Sequence, residues 1–167
     1  MTDMITDRPE SGDAGSPSVS DPLLASELVG DTEFLAARTI SIGTTRANAM
    51  LASLDLKVRS YSVLTLAATA DGPSQREMAD FLCLAPSQIV SLVDELEQRG
   101  LVKRLNDLND RRTKFIRATT SGKRLYRRAR ERVRQAEDIS LQELTAEERD
   151  QLRSLLRRTA FTPDRPT

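Results

Sequence analysis

The chain has 167 residues, enough for one sizeable core, with 25 basic and 25 acidic side chains and no histidine. Without histidine it lacks the commonest metal ligand, general base and haem ligand, and its single cysteine can form no internal disulfide, which fits the reducing cytoplasm. No apolar run approaches the ~20 residues of a membrane span, and the N-terminus lacks the basic and apolar regions of a secretory signal.

Neutral overall, the chain is polarised along its length. Met1 to Leu56 holds nine acidic and three basic residues, whereas Arg99 to Arg134 holds fourteen basic and three acidic. A local excess of that size suits a polyanion, and a nucleic-acid phosphate backbone is the obvious candidate. Residues 1–20 are rich in Ser, Asp, Gly and Pro and are expected to form a disordered tail. Asp21-Pro22 then starts a helix whose apolar face runs from Leu24 and Leu28 through Leu35, Ile42, Ala49 and Leu54, weakened at Gly30 and Gly43. Ser60 to Ala70 reads as a second, buried helix, although its β-branched residues leave a strand as the competing reading.

A denser set of signals follows. Ser74 and Glu77 form a capping box that opens a short helix with Met78, Ala79 and Leu82 inward. Cys83-Leu84-Ala85 makes a tight turn, Pro86 opens another helix, and Gly100 stops it. Ile89, Val93 and Leu96 stand at helical spacing, which leaves Ser87, Gln88 and Ser91 outward. Two helices joined by so short a turn form a helix-turn-helix. Leu101–Leu105 and Thr113–Thr119 are short extended runs around a polar turn, so a β-hairpin comes directly after the second helix. Thr119 caps a long helix with Leu125, Ala129, Val133 and Ala136 on its apolar side. Thr145 and Glu148 form a second capping box before a last helix carrying Leu152, Leu155 and Leu156.

This order resembles the MarR family of bacterial transcription regulators. The stretches that carry the resemblance are MADFLCLAPSQIVSLVDELEQRGLVKR, the wing NDRRTKFI and the helix start TTSG, within a match of roughly Leu23 to Ala160. The fold class expected is mainly α, a winged helix-turn-helix with long N- and C-terminal dimerisation helices and a small β-wing. The domain spans residues 21–161, with the winged part at about 57–119, dimerisation helices at about 21–54 and 120–161, and a C-terminal tail at 162–167. The resemblance implies a homodimeric repressor on a palindromic operator of double-stranded DNA, in this family often relieved by a small-molecule effector or by oxidation. It implies no cofactor and no membrane partner.

In related wings an aspartate holds an arginine that enters the minor groove, and here those residues match Asp110 and Arg112. Arg111, Arg104 and Lys114 would serve phosphates. Gln88 can contact adenine bidentately, and Ser87 and Ser91 can contact several base edges. The helix departs from the family in carrying Asp94, Glu95 and Glu97, with no basic residue before Arg99. That acidity is the one support for an alternative, a winged module that binds protein or RNA. An enzyme is nearly excluded by the lack of a paired acid/base constellation, a metal cluster or a Gly-rich phosphate loop. Single-cysteine peroxide sensors of the family place the thiol in the first helix, so Cys83 is expected to be a small, partly buried structural residue. The effector pocket is expected near Ala36–Ala47 and Tyr61–Leu66.

Overall fold

Asp31 makes the first break in the chain. Its carboxylate accepts the backbone N–H groups of Glu33 (2.8 Å) and Phe34 (3.2 Å), the bonding of a helix cap. The computed structural model describes residues 21–70, 72–106 and 114–161; the expected tails and the wing tip, with Asp110, Arg111 and Arg112, lie outside the described residues. The described residues divide into two compact units, one up to Arg38 and one from Thr39 on. In the first, α1 (Asp21–Leu24) is followed by a 3-10 turn, Glu27–Gly30. Helix α2 spans Thr32–Leu51. The single helix expected from Asp21 to Leu54 is therefore corrected to two. Gly30 has poor helix propensity, and Asp31 offers the backbone a cap where a continuous helix would need only i→i−4 bonds. Gly43, by contrast, stays inside α2.

In the second unit, α2 ends in a 3-10 turn, Ala52–Leu54, and the chain corners at Asp55, whose φ of 51° and ψ of 48° are left-handed. Helix α3 runs over Val58–Ala67, a little earlier than Ser60–Ala70. Side chains settle its competition with strand. Asn48 Oδ1 accepts the Val58 N–H (2.9 Å) and Ser60 Oγ the Lys57 N–H (3.1 Å), so two backbone donors at the helix start are met by side chains. The hydroxyls of Ser62 and Thr65 donate to the carbonyls four residues back. Helix α4 (Gln75–Leu82) opens on the expected box: the Ser74 N–H donates to Glu77 (2.7 Å) and the Glu77 N–H to Ser74 Oγ (3.2 Å). The bonds from the Ser74 backbone, then its hydroxyl, hold the Glu77 carboxyl below its usual range. Its contribution is present above the unfolded-state pKa and is lost as pH falls through the folded one.

Helix α5 covers Pro86–Gln98, and Gly100, at φ 66°, follows its end. Strands β1 (Val102–Asn106) and β2 (Lys114–Ala118) pair antiparallel, with Val102 opposite Ala118 and Asn106 opposite Lys114. The sheet is tied to the start of α4 by the Ile116 N–H on the Pro73 carbonyl (2.9 Å). Helix α6 is Thr120–Ser140 and α7 Ala146–Ala160, the latter opening on the Thr145–Glu148 box. The TTSG start has two jobs. Thr119 Oγ1 accepts the Gly122 N–H (3.1 Å), and a Cβ on Gly122 would lie 2.0 Å from the Leu101 carbonyl oxygen. Only glycine lets α6 begin so close to the end of the helix-turn-helix.

Leu51, Leu64, Met78, Ile89, Leu96 and Ile116 are fully buried in one cluster, which seats α5 against α3, α4 and the sheet. Burial of such side chains contributes ~1.5–3 kcal/mol each. Helix α7 buries no residue of its own and leaves Leu155 and Leu156 exposed. Among the described residues no helix is long and apolar enough to cross a membrane.

Candidate nucleic-acid interface

The inward stripe of α5 sets its outward one. Ile89, Val93 and Leu96 have no exposed surface, so Ser87, Gln88 and Ser91 face solvent. Two of the three already hold local bonds. Gln88 Oε1 accepts the Ala85 N–H (3.2 Å), and the Ser91 hydroxyl donates to the Ser87 carbonyl (3.1 Å). A base contact by Gln88 through both amide atoms must compete with this half-cap, a bond worth ~0.5–1.5 kcal/mol.

The acidic side of α5 is neutralised from outside the helix. Arg104 of β1 sends its guanidinium to both Asp94 and Glu97, and its backbone N–H donates to Glu97 Oε1 (3.1 Å). Burial works against the charged form of Arg104, but the bonds to Asp94 and Glu97 outweigh it and raise the pKa further. With its side chain 19% exposed, Arg104 faces α5, the second helix of the helix-turn-helix and hence the candidate recognition helix. Arg99 pairs with Glu95 (3.5 Å) and the Asp55 carboxylate (3.6 Å), and it donates to the Asp55 and Leu54 carbonyls at 2.6 and 3.2 Å. Each of the three carboxylates on α5 thus has a cationic partner. What a polyanion meets on this side of α5 is therefore a set of ion pairs and not three bare carboxylates.

Part of the positive charge on β2 and α6 has no acidic partner among the described residues. Lys114 is exposed on β2. On α6, Lys123, Arg124, Arg127, Arg128, Arg130, Arg132 and Arg134 are all exposed, and among the described residues none is in an ion pair. Cys83 also differs from expectation. It ends α4 in the left-handed conformation (φ 51°) and is exposed rather than partly buried, because that corner turns its side chain off the helix face that α4 packs inward.

A cavity of about 1080 Å³ opens between α2, α3, the helix-turn-helix turn and α5. Ile40, Thr44 and Ser62 line it, as placed from sequence, but Tyr61 does not: its ring stacks on Tyr126 at 6.3 Å. Sequence reasoning missed Leu84 in the turn, and Leu92 and Glu95, which bring α5 into the cavity wall.

A helix-turn-helix with a two-stranded wing and a long basic helix behind it is the architecture of a winged-helix DNA-binding protein. The MarR family profile matches residues 56–114. A MarR-family transcriptional regulator from Rhodococcus sp. RHA1 is 42% identical, with a TM-score of 0.78 over 82% of this chain and 97% of that one. CouR from Rhodococcus jostii RHA1, in a structure bound to p-coumaroyl-CoA, is also 42% identical, with a TM-score of 0.76 over 86% of this chain and all of that one. A CouR repressor bound to a 23-mer DNA duplex is 29% identical, with a TM-score of 0.74 over 80% of this chain and 95% of that one. The chain belongs to the MarR family and is a DNA-binding transcriptional regulator.

Proposed function

We propose that the protein is a cytoplasmic homodimeric repressor, not an enzyme, that binds a palindromic operator and releases it when an aromatic acyl-CoA thioester fills the cavity beside α5. Its domain is residues 21–161, the winged part about 57–119 between dimerisation segments at about 21–54 and 120–161, with tails at 1–20 and 162–167. The exposed leucines of α7 support the dimer, since a helix with no buried residue needs a partner surface. Ser87, Gln88 and Ser91 read bases, Arg112 enters the minor groove held by Asp110, and Arg111 and Lys114 meet phosphates.

The observation that carries the effector reading is the cavity itself. Leu56, Leu84 and Leu92 give it an apolar lining, Lys57 and Arg59 add two cations, and its two carboxylates, Asp55 and Glu95, are both paired with Arg99. That chemistry suits a ligand with an apolar acyl group and an anionic remainder. The 42% identity to CouR, whose structure holds p-coumaroyl-CoA, points to the same class.

The wing is tested by a double-mutant cycle on operator binding. Arg112→Ala is expected to weaken binding, and Asp110→Ala to leave it level or weaken it. The double variant should lose less than the sum, by an interaction energy of ~0.5–3 kcal/mol. Tighter binding by Asp110→Ala with additive behaviour makes Asp110 a bystander that merely repels phosphate.

A further inference from the structure

The cavity and the recognition helix share one set of groups. Asp55 and Glu95 both line the cavity, and they are the two carboxylates that Arg99 pairs with. Arg99 is the residue that ends α5. Its guanidinium also holds the carbonyls of Leu54 and Asp55, two consecutive residues at the corner between α2 and α3. On one side of that corner Thr44, Asn48 and Ala52 of the α2 segment line the cavity; on the other, Lys57 and Arg59 do. The corner is therefore a short span between two cavity walls, and Asp55 is held there in a left-handed conformation that non-glycine residues seldom adopt.

We propose that Arg99 is the positioning residue through which effector occupancy of the cavity reaches the recognition helix. The inference rests on the effector reading above. A molecule that fills the cavity bears on both walls that meet at Leu54–Asp55. Any shift of that corner moves the two carbonyls that Arg99 grips, and Arg99 is continuous with α5. The planar guanidinium fork can bind two neighbouring carbonyls at once, whereas an ammonium, a point charge on a flexible stem, cannot fix their relative geometry. The link is carried by the fork on the backbone. The Asp55 carboxylate is 94% exposed, so its ion pair adds little.

The test compares the full-length parent with Arg99→Met and Arg99→Lys. Each is titrated with p-coumaroyl-CoA, with a duplex that the parent selects from a random pool, and with both together. For the parent, saturating p-coumaroyl-CoA should lower duplex affinity roughly 5–150-fold, and the duplex should lower affinity for the thioester by the same factor. Both variants should bind each molecule alone, yet one should change affinity for the other by no more than about twofold, the scale of an ordinary surface substitution. Circular dichroism shows whether Arg99→Met is folded; if it is not, Arg99→Lys decides alone. Variants that keep the parent's full factor overturn the role of Arg99 while leaving the effector reading in place. A parent that binds the duplex but shows no response to the thioester overturns the effector reading and this inference with it.

Discussion

Helices α5 and α6 carry opposite charges in the sequence, but they differ more in what surrounds those charges. The carboxylates of α5 are matched by Arg99 at its own end and by Arg104 from the wing. The basic residues of α6 from Lys123 to Arg134 have no acidic partner among the described residues, and only Arg124 and Arg132 make side-chain bonds, to Ser121 and Gln135. A count of charges on one helix therefore misjudges its field: the acidic helix is close to neutral, and the basic one keeps its charge for a mobile counter-ion or a phosphate chain.

The contact that holds the two helices in register gives the largest expected effect. Gly122→Ala forces a Cβ into the Leu101 carbonyl. A loss of about 3 kcal/mol is expected, seen as a melting temperature lower by roughly 6–12 °C. An unchanged melting curve would falsify the close approach of α6 to the end of the helix-turn-helix.

Next comes the neutralisation itself. Arg104→Ala strands Asp94 and Glu97, and should cost about 1.5–3 kcal/mol of stability by denaturant titration. Operator binding should also weaken, with the salt slope of binding unchanged. If stability holds and the slope falls by about one unit, Arg104 serves a phosphate, as first expected from sequence.

Smallest is the effect of thinning the bare charge. The double variant Arg127→Ala with Arg130→Ala should leave stability within about 0.5 kcal/mol of the parent. A loss above ~1 kcal/mol would mean that these arginines already have partners in the folded protein.

How much of this could be read beforehand depended on sequence distance. The boxes at Ser74–Glu77 and Thr145–Glu148 and the cap at Thr119 were legible, because each is closed within three residues by groups whose bonding follows from their type. The break at Gly30–Asp31 was half legible: Gly30 weakens a helix by its type, but the cap at Asp31 competes with a long apolar stripe. Ser87, Gln88 and Ser91 were placed outward from the period of Ile89, Val93 and Leu96 alone, and the structure has them so. The pairing of Arg104 was not legible. It depends on how β1 leaves Gly100 and folds back along α5, a geometry fixed by the packing of Leu101, Val102 and Ile116. The cavity was legible only in its α2 and α3 walls, since its other walls come from segments distant in sequence.

The exposed corner at Cys83 has a practical consequence. It is the chain's one cysteine, and it stands in the turn of the helix-turn-helix, between α4 and α5. A maleimide dye or spin label would therefore attach at a single known point without any engineered substitution. In a dimer the two labels would measure the distance between the two turns directly, and with it the spacing of the operator half-sites to which they are matched.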